Sequence, residues 1–264
     1  MRNLQQYGPW ALITGASDGI GRALAEQIAA AGINVALVAR NEVLLRALAA
    51  ELEARHRIET AVLAADLADN DAVAHVETAT DGLDIGLVVL AAGFGITGTF
   101  LETPLAEELS LIAVNIAAVS RLSHKFAGRL AGRGRGAIVL FGSIVGWQGV
   151  PGQANYAASK AYVQNLAEGL HDELEPHGVD VLSVAPGPVA SGFGARAGLA
   201  MTGATAPEVV AAAALKVLGR RRTVVPGARG KFLTWALMPL PRRLRSLILG
   251  RVIAGMRSRE SATA

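Results

Sequence analysis

The sequence predicts an α/β fold, a doubly wound parallel sheet with helices on both faces, in a single domain. Three observations predict it. Apolar runs of strand length alternate with amphipathic runs of helix length from start to end, the order expected of βαβ units. The strand runs are continuously apolar, as strands covered on both faces must be. A glycine-rich segment, TGASDGIG at 14–21, falls directly after the first apolar run and opens the first helical one, which is the Rossmann-type arrangement.

Taken in order, the strands read WALIT (10–14), INVALVA (33–39), ETAVLAA (59–65), GLVVLA (86–91), GAIVLF (136–141), VDVLSVA (179–185) and RTVVP (222–226). Between them helical spacing covers 19–31, 42–55, 69–79, 106–130, 154–175 and 207–218. Asp69 is placed to cap a helix, Pro207 to start one, and Gly32 and Gly178 to follow helix ends. With no repeat, low-complexity tract or linker, residues 1–229 read as one dinucleotide-binding and catalytic domain, and 230–264 as a basic amphipathic extension of it.

The 264 residues are 52% hydrophobic and 18% charged, which excludes a disordered chain and suits a thick buried sheet. The net charge is only +3, gathered in local patches at Arg133 and Arg135, Arg220 to Arg222, and Arg242, Arg243 and Arg245. That is no footprint for nucleic acid. No cysteine is present, so thiolate metal sites and cysteine nucleophiles are excluded. The five histidines lie apart without ligand spacing, and no metal is expected. Without a signal-like N-terminus or a span-length apolar run, a soluble, cytoplasmic protein is expected.

The glycine-rich turn is where chemistry begins. Gly15 permits the tight bend, Gly19 lets backbone approach a pyrophosphate, and Gly21 lets the helix pack closely while its first N–H groups face the anion. Ser17, Asp18 and Ile20 complete the phosphate-facing turn. Asp18 is unexplained here, because a carboxylate beside phosphates repels them. After the second strand stand Ala39 and Arg40, with no carboxylate to accept from a ribose 2′-hydroxyl, and a guanidinium can fork onto a 2′-phosphate. The ligand is therefore read as NADP(H); the plain alternative is that Arg40 is an ordinary exposed arginine.

Tyr156 and Lys160, in YAASK, are four residues apart and share a helix face. An ammonium beside a phenol favours the phenolate, bringing proton exchange toward neutral pH. Ser143 follows the fifth strand at the same sheet edge, placed to hydrogen-bond a substrate oxygen. TGASDGIG, Asn115, Ser143, YAASK and Pro186-Gly187 together resemble the short-chain dehydrogenase/reductase family, single-domain branch, over about residues 1–218. The resemblance implies that Tyr156 exchanges the proton, Lys160 lowers its pKa and binds the nicotinamide ribose, and Ser143 polarises the carbonyl. It implies too that Asn115 breaks helix geometry to hold a water leading to Lys160. Asp66 and Leu67 would meet adenine; Ala91, Ala92 and Gly93 would contact the nucleotide through the main chain. Pro186, Gly187, Val189 and Ser191 would meet the nicotinamide amide. Where the family has Asn-Asn-Ala-Gly this chain has Leu90-Ala91-Ala92-Gly93, which implies loss of one sheet-stabilising hydrogen bond.

These residues imply an NADP(H)-dependent oxidoreductase acting on a carbonyl or alcohol. Phe94, Gly95, Ile144, Trp147, Gln148, Val150, Pro188 and Phe193 flank the reacting centre in the resemblance and point to a lipophilic ketone, aldehyde or 3-oxoacyl substrate. A non-catalytic NADP-binding regulatory or partner protein is the rival reading. The family resemblance also implies a homodimer or homotetramer through the helices at 106–130 and 154–175. Residues 231–257 read as an amphipathic basic helix, packed on the domain, on a sister subunit, or against an anionic membrane surface.

Overall fold

A computed structural model of the chain describes residues 4–201 and 203–257. Seven parallel strands form one sheet: β1 (Trp10–Thr14), β2 (Asn34–Ala39), β3 (Thr60–Ala64), β4 (Ile85–Leu90), β5 (Gly136–Phe141), β6 (Val179–Val184) and β7 (Thr223–Val224). Their order is β3-β2-β1-β4-β5-β6-β7. The doubly wound sheet is the one expected. The last strand is shorter than its apolar run, ending before Pro226, which has no N–H to extend the ladder.

Alternation along the strands divides the core in two. On one face Ile13, Leu37 and Val89 pack against α1 (Gly19–Ala30), α2 (Glu42–His56) and, through Val210, a helix near the C-terminus. On the other, Leu12, Val38 and Val88 meet α3 (Asn70–Ala79) through Val73 and Val76. The run expected at 106–130 is α4 (Leu105–Ile112), a π-helical segment (Ala113–Ala118) and α5 (Val119–Arg133). Asn115 thus stands in a break of α-geometry, and α5 buries Leu122 and Phe126 beside Val163 of α6 (Ala154–Leu174). The Asp69 side chain caps α3 by accepting from Asp71 N at 2.9 Å.

Two regions depart from the periodicity. A five-residue helix, α7 (Gly192–Arg196), has no counterpart in the sequence reading. After α8 (Pro207–Val217), which carries Val210, the single amphipathic helix expected over 231–257 is two: α9 (Ala228–Leu237) and α10 (Arg242–Met256). Pro239 and Pro241 stand between them, where a continuing helix would lose its bonds. These helices bury Leu237, Leu249 and Ile253 in a third apolar cluster with Ile144, Tyr156, Ala197 and Leu199. Among the described residues, no helix is long and apolar enough to cross a membrane.

Candidate active site

Strand order reverses between β1 and β4, and ligands of such sheets bind in the crevice at the carboxyl ends of the strands there. A cleft of about 600 Å³ opens at this place. It is lined by Gly15, Ser17, Asp18, Gly19, Ile20 and Gly21 from the first turn, and by Arg40, Asp66 and Leu67 after β2 and β3. Ala91, Ala92 and Gly93 follow from β4; Ser143, Tyr156 and Lys160 lie beyond; Pro186, Gly187, Val189 and Ser191 close the far wall. Residues spread over more than 170 positions share one cavity.

The phosphate end is shaped by absent side chains. Gly15 has φ of +70°, and a Cβ there would lie 2.9 Å from Ala92 N. A Cβ on Gly21 would collide with the Gly15 carbonyl. Asp18, the residue before α1, makes no side-chain cap to its own helix, so the first-turn N–H groups lack an intrahelical partner and remain available to an anion. The Asp18 carboxylate turns away instead: Oδ2 accepts from Gly192 N at 3.1 Å and from both terminal nitrogens of Arg196 at 3.2 Å. That accounts for an acid in this turn. Exposed Arg40 makes no hydrogen bond or ion pair with the described residues.

At the chemical end Tyr156 and Lys160 are almost wholly buried. Burial drives the Tyr156 pKa upward, and a hydrogen bond with the Ser143 hydroxyl pulls partly the other way. Burial also lowers Lys160, to about 8. The expected dominance of Lys160 over Tyr156 is therefore outweighed by desolvation, which disfavours both charged forms. Lys160 Nζ stands 5.7 Å from the Tyr156 ring centroid and donates to the Phe141 carbonyl at 3.0 Å. The Ser143 hydroxyl donates to Pro186 O at 3.3 Å and caps the 3-10 turn Ile144–Trp147.

Asn115 lies behind this surface, buried, with its amide engaged on protein groups. Nδ2 donates to Phe94 O at 2.9 Å and Ser159 Oγ at 3.1 Å, while Oδ1 accepts from Phe94 N at 3.1 Å. These contacts fix the chain after Gly93, between β4 and α6. The end of β4 is tied to β1 by the Ala92 main-chain N, which donates to the Thr14 side-chain hydroxyl at 3.1 Å, a bond that needs no asparagine.

The residues expected around the substrate divide. Phe94, Pro188 and Phe193 line the cleft, and the Phe193 ring lies 5.6 Å from that of Tyr156. Ile144, Trp147 and Gln148 face α9 and α10 instead, and Val150 is core. Sequence reasoning missed Asn41, Ser110, Val114, Arg196 and Met201, which also line the cleft. Only Asn41, capping α2 by accepting from Leu44 N at 3.0 Å, had a local signal, its place before an apolar helical run.

Glycine turn, switch-point cleft and buried tyrosine–lysine pair define a dinucleotide-dependent α/β oxidoreductase. Residues 9–200 match the family model for short chain dehydrogenases. A 7beta-hydroxysteroid dehydrogenase of Collinsella aerofaciens is 33% identical over 234 residues, 86% of this chain and 89% of that protein. A very-long-chain 3-oxoacyl-CoA reductase of Pyricularia oryzae is 38% identical over 187 residues, 68% of this chain, which spans 56% of that protein's length. Among solved structures, a 7beta-hydroxysteroid dehydrogenase superposes with a TM-score of 0.87 at 30% identity, over 95% of this chain and 100% of the other. A short-chain dehydrogenase from Sphingobium yanoikuyae in complex with NADPH gives 0.78 at 33% identity, over 95% and 97%. The chain belongs to the short chain dehydrogenase family.

Proposed function

We propose that the protein is an NADP(H)-dependent reductase of bulky lipophilic ketones, with Tyr156 as proton donor and Lys160, Ser143 and Asn115 as its supporting set. The observation that carries this reading is the single cleft holding the glycine turn at one end and Tyr156, Ser143 and Lys160 at the other. Glycines where a Cβ would strike backbone, and free N–H groups at the start of α1, fit a dinucleotide. The unpaired Arg40 at the rim suits a 2′-phosphate, in keeping with the NADPH named for the Sphingobium relative.

When bound, NADPH supplies a hydride to a carbonyl carbon. The chain's own residues do the rest. Burial holds Tyr156 protonated through neutral pH, so a phenolic proton is in place for the oxygen that gains charge. A carbonyl oxygen that draws the Ser143 hydrogen away from Pro186 O would have the Ser143 and Tyr156 hydroxyls as two donors. Lys160 is placed to hold the nicotinamide ribose, and Asn115 to position Phe94 and α6.

Phe94, Phe193, Pro188 and Met201 give the substrate end an apolar lining. Ring-bearing ketones fit such a surface, as the names of two structural relatives suggest: the 7beta-hydroxysteroid dehydrogenase above and the bulky-bulky ketone specific alcohol dehydrogenase from Comamonas testosteroni, with a TM-score of 0.74 at 30% identity over 97% of both chains. The deciding experiment follows NADPH oxidation with steroid, aryl and aliphatic ketones for the native protein and Tyr156→Phe. Retained NADPH binding with activity down about a thousandfold supports the reading. Full activity in the variant would remove Tyr156 from catalysis, and inertness of the native protein toward every ketone would favour the non-catalytic rival.

Two surfaces extend the proposal. Leu105, Leu109 and Ile112 form an exposed apolar stripe along α4, with exposed Leu101 in the turn before it, which suits a homo-oligomer through the 106–130 and 154–175 helices; Leu105→Glu with Leu109→Glu should reduce its mass in light scattering. Between Glu208 and Arg257 the chain has no acidic residue, and Phe232 and Trp235 on α9 and Met238 at its C-terminal cap are exposed. Basic residues beside exposed aromatics suit an anionic membrane surface. Trp235→Ser should lower co-sedimentation with anionic vesicles; unchanged binding would discard the contact. The packing of α9 and α10 on the third cluster supports reading 230–257 as an extension of the 1–229 domain; 258–264 lie outside the described residues.

A further inference from the structure

We infer that Asp18 and Arg196 form a clasp across the nucleotide cleft that sets how fast the dinucleotide enters and leaves, an inference resting on the cofactor reading above. Asp18 lies in the phosphate turn and Arg196 at the end of α7, 178 positions apart in sequence. Both line the cleft. One carboxylate oxygen takes three N–H donors, two from Arg196 and one from the Gly192 main chain. Beside this contact the Ser191 side chain lies against Gly19: a Cβ on Gly19 would be 2.8 Å from Ser191 Cβ.

The segment carrying Arg196 is a strap fixed at both feet. At one foot Ala190 N donates to Thr205 O at 2.9 Å, and Thr205 N to Pro188 O at 2.9 Å. At the other, Ala200 N donates to Met256 O at 2.7 Å, and Leu199 bridges Arg257. Between the feet, Gly192 and Arg196 tie this segment to the phosphate turn through Asp18. Opening this tie releases α7 from the phosphate turn, while Ala197 and Leu199 stay in the third apolar cluster and the feet stay in place. The strap also carries Phe193 against Tyr156, so the clasp joins the phosphate end of the cleft to its substrate end.

The clasp also resolves the electrostatic oddity of the turn. Asp18 alone would oppose a pyrophosphate, yet paired with Arg196 it presents little net charge there. The side chains of Asp18 and Arg196 are 39% and 48% exposed, so the pair is solvent-screened and weak enough to open repeatedly. A buried pair would lock; this one can cycle.

Simple electrostatics and the clasp make opposite forecasts. If only charge near the phosphates mattered, Asp18→Asn would tighten NADPH binding and Arg196→Gln would weaken it, through opposite changes in dissociation rate. If the clasp operates, both substitutions raise association and dissociation rates together, each by about fivefold, and the double variant goes no further than either single one. Gly192→Ala provides a test that alters no charge, because its Cβ would stand 2.6 Å from Asp18 Oδ2 and 2.8 Å from Arg196 Nη1. These are ends of flexible side chains, so the methyl group parts the clasp without moving backbone.

The experiment is stopped-flow NADPH fluorescence on the native chain and the four variants, with amide hydrogen exchange of residues 191–198 measured in nucleotide-free protein. Faster association and dissociation in all variants, with faster exchange in that segment, supports the clasp. Opposite shifts for Asp18→Asn and Arg196→Gln, or unchanged rates and exchange, overturn it. Failure of the native chain to bind NADPH would instead overturn the cofactor reading, while exchange in the nucleotide-free chain still reports on the clasp.

Discussion

The phosphate end of the cleft and its substrate end are made of different materials. The first is main chain: glycines, a helix terminus and strand ends that the parallel sheet holds in register. The second is side chain, with Phe94, Phe193, Pro188 and Met201 arriving from loops and a short helix far apart in sequence. A surface of backbone tolerates almost no change, because peptide groups cannot rotate out of the way. A surface of side chains repacks. Substitutions should therefore act sharply and on the cofactor at one end, and gradually and on the substrate at the other.

Gly21→Ala is the severest test of that contrast. Its Cβ would meet the Gly15 carbonyl, so the turn or the start of α1 must move, and NADPH should bind about a hundredfold more weakly, roughly 3 kcal/mol. Isothermal calorimetry reads this directly, and near-native affinity would show that the phosphate end is softer than its geometry. Arg40→Ala comes next. Losing a charge-assisted contact should weaken NADPH by about ten- to thirtyfold and leave NADH unaffected. An equal loss for both nucleotides would mean that Arg40 does not read the 2′-phosphate. Met201→Ala, at the other end, should raise the ketone KM by about fivefold with NADPH affinity unchanged; a change in NADPH affinity would break the division between the ends.

The same contrast separates what the sequence reveals from what it hides. The strands from WALIT to VDVLSVA, and the turn at Gly15, Gly19 and Gly21, are visible because each is a local pattern with one physical cause. Tyr156 and Lys160 are visible as a four-residue spacing. Hidden is α7: GFGAR has no period and two glycines, and it is held by the Ser191 cap and by Asp18. Asp18 looks misplaced in its own segment because its partner is 178 positions away. The division of the tail at Pro239 and Pro241 had a local signal, since paired prolines interrupt a helix. Trp147 and Gln148 face the C-terminal helices, a packing set by α9 and α10 rather than by their neighbours in sequence.

Lys160 stands beside Tyr156 at the chemical end, and its effect is read in stability rather than in binding. Its folded pKa is lowered by burial from 10.5 to about 8. Below pH 8 the lysine is charged in folded and unfolded chains alike, so folding bears the full cost of burying an ammonium. Between about 8 and 10.5 the unfolded chain binds the extra proton, so stability rises with pH. Above 10.5 the cost has gone. The native protein should gain up to about 1 kcal/mol per pH unit in that window relative to Lys160→Met, which has no charge to bury. Urea denaturation of both proteins between pH 7 and 10.5 measures the difference, in which titrations common to the two cancel. A difference that stays flat would mean that Lys160 keeps its proton, held by something stronger than the Phe141 carbonyl; the amine would then remain a cation across the working range of the site.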